Sequence, residues 1–142
     1  MAVFNKIQAF VEHAAEKVHN LGADVLKIML VNSPAPVATN SVKADLTEIT
    51  AGNGYTAGGT TVTITGSSQT SGTYKLVGSD VVFTAAGGTI GPFRYAILYN
   101  DTPTSPADPL IGWWDYGSSI TLNDAETFTV DLDATNGILQ IA

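Results

Sequence analysis

The stretch FRYAILY, residues 93–99, indicates a mainly β fold, because it has the pattern of a strand with apolar residues on both faces. Side chains of a strand alternate between its two faces. The odd positions of this stretch are all aromatic or aliphatic, and the even positions are Arg94, Ala96 and Leu98. We therefore predict a strand that is covered on both faces.

A second stretch of this kind is LIGWWDY, residues 110–116. The adjacent Trp113 and Trp114 must point to opposite faces of the strand. A single core takes only one of them, so the other is expected under the N-terminal helix, under a loop or against another chain. Tryptophan and tyrosine are enriched at interface hot spots, which favours a contact with a partner as one of these possibilities.

The other predicted strands are short and are separated by glycine, proline or asparagine. They are Val25–Val31, Thr60–Thr65, Thr73–Val77, Val81–Thr84, Glu126–Leu132 and Gly137–Ile141. The third and fourth of these are expected to form a hairpin around Gly78-Ser79. The last two join through a turn at Asn136-Gly137. In the strand over 126–132, threonine and aspartate alternate with apolar residues, which predicts one wet face.

The N-terminal residues have a helical pattern instead. Apolar residues recur at spacings of three and four from Phe4 to Leu21, which predicts an amphipathic helix over about 6–20. Asn5 and Gln8 have the spacing of a capping box, and Gly22 is placed to end the helix. We predict one domain over 1–142, in which this helix precedes an antiparallel β-sandwich or barrel-like domain of about eight strands over 24–142. The predicted core is Val25, Ile28, Leu30, Val62, Ile64, Leu76, Phe83, Tyr95, Ile97, Trp113, Phe128, Val130, Leu132 and Leu139.

Composition narrows the function classes. Only 13% of the 142 residues are charged, against about 25% in an average soluble domain. The net charge is −7, and the excess of acids falls in the residues after position 44. An acidic body repels phosphate, so we expect no nucleic-acid partner. No apolar run approaches the length of a membrane span, so we also expect no membrane association. The absence of cysteine excludes thiolate chemistry.

The residues that could carry chemistry form no recognisable site. His13 and His19 would point about 120° apart on a helix, so we interpret them as ordinary surface residues that share no metal. The serines lie in turn contexts without the G-x-S-x-G pattern of a hydrolase. Asp131 and Asp133 are expected on one strand face, but no calcium-loop spacing is present. The glycine-rich loop from Gly52 to Gly59 lacks the phosphate-binding spacing, and we interpret it as a tight loop with positive φ angles. We predict no enzyme activity, no metal site and no cofactor.

Several strings along the chain are similar to one family. EKVHNLG (16–22), APVATN (35–40), ITAGNGYT (49–56), GPFRY (91–95) and LIGWWDYG (110–117) carry the resemblance. The chain resembles a family of small virion structural proteins of tailed bacteriophages over nearly its whole length. No catalytic signature is among these strings.

The closest role that the resemblance implies is a capsid decoration, or cement, protein. Such a protein binds the outside of the major capsid protein shell, often as a trimer, and is located in the virion after assembly in the bacterial cytoplasm. The alternatives are a tail-associated tube, fibre or adaptor subunit, and a carbohydrate-binding β-sandwich. Burial and aromatic character nominate the interface candidates Phe4, Phe10, Tyr55, Tyr99, Trp114 and Tyr116.

Overall fold

The stretch over residues 93–99 lies at the centre of a five-stranded sheet. The computed structural model describes residues 2–142. Each neighbouring pair in this sheet is antiparallel. In spatial order, the strands are β1 (Asn5–Lys6), β8 (Leu110–Leu122), β7 (Ile90–Asn100), β2 (Leu26–Val31) and β3 (Thr60–Thr61).

Two smaller antiparallel sheets complete a sandwich-like fold across the described residues. One has the order β10 (Leu139–Ile141), β5 (Thr73–Gly78) and β4 (Ile64–Thr70), and the other pairs β6 (Val81–Thr84) with β9 (Thr127–Val130). The fold class predicted from the sequence is therefore confirmed: a mainly β, sandwich-like protein with one short N-terminal helix. The expected wet face is also present, because Thr127 and Thr129 are exposed beside buried Val130.

The central strands are covered on both faces, as predicted. The Tyr99 hydroxyl donates to the Gly58 carbonyl, and the Lys43 ammonium lies 5.5 Å from the centre of the Tyr99 ring. The segment between β2 and β3, which contains the 3-10 turn Lys43–Asp45, thus covers one face. The next residue, Asn100, points to the other face and bonds His19 of the N-terminal segment. Both covers come from the protein's own chain.

The predicted helix over 6–20 is wrong in extent, because α1 spans only Ala9–Ala15. Asn5 caps no helix: it lies in β1, opposite Trp113, and its side-chain amide donates to the Val3 and Trp113 carbonyls. After the helix, Lys17 adopts a φ of 66°, which ends the helix before Gly22. Strand pairing of β1 before the helix and burial of Leu21 after it outweigh the helical pattern.

The predicted hairpin around Gly78-Ser79 is also wrong. β5 pairs with β4 and β10, whereas β6 pairs with β9. A Cβ atom at Gly78 would lie 2.9 Å from the Val62 side chain, so the chain is closely packed where it passes between sheets. The turn after β9 does form, with Gly137 N donating to Asp133 O at 2.9 Å, but β9 and β10 pair with different strands.

Most of the predicted core is buried. The exceptions are Val25, which is 44% exposed, and four half-buried residues. Val25 is exposed because its neighbour Leu26 takes the inward position at the start of β2. The half-buried residues are Ile64, Trp113, Phe128 and Leu139.

Candidate functional site

An aromatic groove opens where β7 and β8 face β9. Its volume is about 340 Å³. Aromatic and aliphatic side chains dominate its lining, and Arg94, Thr129 and Asp131 add polar atoms. The lining residues are Ala2, Arg94, Ala96, Trp114, Tyr116, Phe128, Thr129, Val130 and Asp131. We call this feature the aromatic groove.

The rings of the groove hold one another in place. Phe128 packs edge-on against buried Phe93, with ring centres 4.9 Å apart, and against Tyr116 at 5.7 Å. Trp114 contacts Phe4 with ring centres 5.0 Å apart. Tyr116 stays 54% exposed, and Trp114 and Phe128 are half-buried. The groove therefore presents ordered aromatic surface of the kind found at binding hot spots.

An ion pair lies on the strands that form the groove. Arg94 Nε donates to Asp115 Oδ1 at 2.8 Å and Arg94 Nη2 donates to Asp115 Oδ2 at 3.0 Å. These hydrogen bonds hold the pKa of the Asp115 carboxyl below its usual range and raise the pKa of Arg94. Gly117 N also donates to Asp115 Oδ1 at 2.8 Å. The pair is more than one-third exposed, so it orients the groove wall more than it stabilises the fold.

Three of the six interface candidates meet at this groove. Trp114 and Tyr116 line it, and Phe4 packs on Trp114. Trp113 and Trp114 are both half-buried, so neither is taken wholly by the core. Arg94, Phe128 and Thr129 were not predicted as site residues. Their alternation along β7 and β9 placed them on strand faces, but the sequence has no signal that brings those faces together.

The prediction of Phe10, Tyr55 and Tyr99 as interface residues is wrong. They are 5%, 3% and 1% exposed, so they offer almost no surface to a partner in this fold. Their aromatic surface belongs to the protein's own core. Tyr99 and Tyr55 anchor the segment between β2 and β3, through Gly58 and Glu48 respectively.

The interpretation of His19 as a surface residue is also wrong, whereas His13 is half-buried. His19 is only 9% exposed, and its ring centre lies 6.0 Å from that of His13. Asn100 Nδ2 lies 3.0 Å from His19 Nδ1 and 2.7 Å from Asp24 Oδ2, while Asn100 Oδ1 accepts from Thr102 N. The Asn100 amide must therefore donate to His19 Nδ1, which places the imidazole proton on Nε2. Burial lowers the pKa of His19 to about 4.

The remaining polar candidates have structural roles. β9 ends at Val130, so Asp131 and Asp133 do not share a strand face as predicted. Asp133 accepts hydrogen bonds from Thr135 N and Asn136 N in its own turn. The expected positive φ angles occur at Gly52, Gly54, Gly58 and Gly59. Within residues 2–142, no group of three or more histidine or acidic side chains is arranged to hold a metal ion.

Comparisons with known proteins add no relative. No protein-family model, curated protein or solved structure matches this chain. Over residues 2–142, the structure contains no helix with the length and apolar character needed to span a membrane.

Proposed function

We propose that this chain is a non-enzymatic structural protein of a tailed-phage virion, and specifically a decoration protein that binds the major capsid protein and stabilises the shell. The observation that carries the proposal is the aromatic groove, in which exposed Tyr116 and half-buried Trp114 and Phe128 form ordered apolar surface. The phage-family strings include residues 110–117, which contain two of these three aromatics.

The physical logic is repeated modest contact. A shell offers many equivalent copies of one binding site, so a groove of moderate size can stabilise it in aggregate. The low charge density supports this role, because burying neutral surface avoids the desolvation cost of ions. A decoration protein needs no cofactor, and its location would be the virion.

The test uses particles of the phage that encodes the chain. Mass spectrometry of purified virions should detect tens to hundreds of copies per particle, and cryo-electron microscopy should locate the groove against the capsid surface. Tyr116→Ala should weaken binding to undecorated capsids by about tenfold or more, because it removes an exposed hot-spot ring. Thr121→Ala on the same strand is the control and should bind normally. Absence from the particle, or density on the tail alone, would overturn the proposal.

Carbohydrate binding is a second candidate, favoured by the aromatic rings beside Arg94 and Asp131. Sugar rings stack on aromatic faces and take hydrogen bonds from such polar groups. A glycan array would separate the two candidates. Saccharide binding that Tyr116→Ala abolishes would favour this one, whereas silence on the array with binding to capsids would remove it.

A further inference from the structure

β4 leaves one long backbone edge unpaired. It is the last strand of the sheet β10-β5-β4, and β5 is its only strand partner within the described residues. From Ser67 to Thr70 every residue is exposed. Among residues 2–142, no backbone hydrogen bond besides those of the ladder reaches residues 65–70. A row of backbone donors and acceptors thus faces outward, ready to pair with another strand.

The other sheet ends present much less edge. The five-stranded sheet ends in β1 and β3, which have two residues each. β10 has three residues, and β6 and β9, which form the two-stranded sheet, have four each. β4 has seven residues, and it is the longest strand at any sheet end. Short edge strands are one way in which proteins prevent unwanted pairing, so β4 is the exception among the strands that end a sheet. β8 also extends past its two-residue pairing with β1, but its outer edge includes the charged Asp115.

The β4 edge also lacks protective charge. Its sequence, ITGSSQT, contains no lysine, no acidic residue and no proline. Residues 49–74 contain no charged side chain at all, although the chain carries a net charge of −7. The nearest charge across the ladder is Lys75, opposite Ser68, and its ammonium donates to the Thr135 carbonyl. Two copies therefore meet no local charge repulsion if they approach edge to edge.

We propose that β4 is a self-association surface, which pairs antiparallel with β4 of a second copy about a two-fold axis. Such pairing is self-complementary, because each copy offers the same donors and acceptors. It would join two three-stranded sheets into one of six strands. The neutral edge favours a second copy of this acidic chain over a basic partner, for which an acidic edge would be the better match. This inference does not depend on the proposed capsid role.

A charge introduced on the edge tests the proposal. Ser68→Glu suits the protomer, because it faces Lys75 across the ladder, but it places a carboxylate in each half of the paired edge. We expect analytical ultracentrifugation to show a concentration-dependent dimer of the wild type, and Ser68→Glu to weaken it by about tenfold or more. Thr121→Glu carries the same extra charge on exposed β8 and should dimerise like the wild type.

Single-cysteine variants of β4 measure how the two β4 strands are aligned in the proposed dimer. The chain has no cysteine, so each variant from Thr65→Cys to Thr70→Cys carries one thiol. Oxidation should link two copies most efficiently at one position, near the two-fold axis, and little elsewhere. The proposal is overturned if the wild type stays monomeric at high micromolar concentration, or if Ser68→Glu and Thr121→Glu weaken association equally. Assembly as a trimer without β4 cross-links would also overturn it, as would protection of β4 amides only when capsid is present.

Discussion

At the scale of single residues, the Tyr55 hydroxyl lies beside a part of β2 that has no neighbouring strand. β3 pairs only with Lys27 and Ile28, so the next part of that edge needs other partners. Leu30 N donates to the Tyr55 hydroxyl at 3.0 Å, and the hydroxyl donates to Glu48 Oε1 at 2.6 Å. Burial, together with the Glu48 carboxylate, raises the pKa of Tyr55 above its usual value. A side chain thus completes the hydrogen bonding of a buried strand.

Tyr55→Phe should lower the free energy of unfolding by about 1–3 kcal/mol, because it leaves the buried Leu30 N–H without its acceptor. Urea denaturation followed by circular dichroism measures the change. Tyr116→Phe is the matched control, because that ring is 54% exposed, and its effect should stay within about 0.5 kcal/mol. Equal effects of the two variants would show that the Tyr55 hydroxyl has no special role.

At the scale of elements, the segment between β2 and β3 is held against β2 by close backbone contact. Gly59 has a φ of +83°, and a Cβ atom there would overlap the Ile28 carbonyl. Gly72, in the turn between β4 and β5, has nearly the same φ, +85°, with no neighbouring atom within 4 Å. Comparing substitutions at the two glycines therefore separates the stability cost of backbone strain from that of steric overlap.

Gly72→Ala should cost about 1–2 kcal/mol of stability, because a Cβ is disfavoured at positive φ. Gly59→Ala should cost clearly more, about 3 kcal/mol or above, because the segment must also move away from β2. Urea denaturation gives both values. Hydrogen exchange should show faster exchange near Ile28 in Gly59→Ala alone. Similar costs for both variants would mean that the contact at Ile28 is easily relieved.

At the scale of the whole molecule, buried His19 links the N-terminal segment to the central sheet. Its Nδ1 accepts from Asn100 in β7, and its ring packs 5.2 Å from that of Phe10 in α1. Protonation would place a proton on Nδ1, where the Asn100 amide already donates. Burial is the largest cause of the lowered pKa of His19, nearby His13 lowers it further, and Asp24 partly opposes the shift.

This linkage predicts a loss of stability in mild acid. The pKa of His19 falls from 6.5 to about 4 on folding, so the unfolded chain binds more protons between those values. The stabilisation is complete above pH 6.5 and is lost as the pH falls toward 4, by about 3 kcal/mol at most. Urea titrations from pH 7 to 4 measure it, and His19→Gln should show a flatter profile over that range. An NMR titration that gives a His19 pKa of 6 or above would contradict the prediction.

Local sequence patterns predicted those features that depend mainly on neighbouring residues. The apolar residues on both sides of 93–99 predicted a doubly covered strand, and β7 is one. The alternation over 126–132 predicted a wet face, and the spacing of glycines predicted a loop with positive φ angles. These features depend on side-chain direction and on backbone conformation, which neighbouring residues largely fix.

The residue pattern alone indicates a charge-poor, mainly β chain, whose strongest strands need cover on two faces. What covers those strands follows from three-dimensional packing, because strand partners and burial depend on contacts between residues far apart in the chain. Because Asn5 pairs with Trp113, the helix is shorter than the sequence pattern predicts. His19 is buried, where its ring bonds Asn100. The packing of β9 beside β7 and β8 turned Trp114, Tyr116 and Phe128 from separate strand residues into one groove. Long-range packing can override local preference because it buries more apolar surface than a few helical turns stabilise.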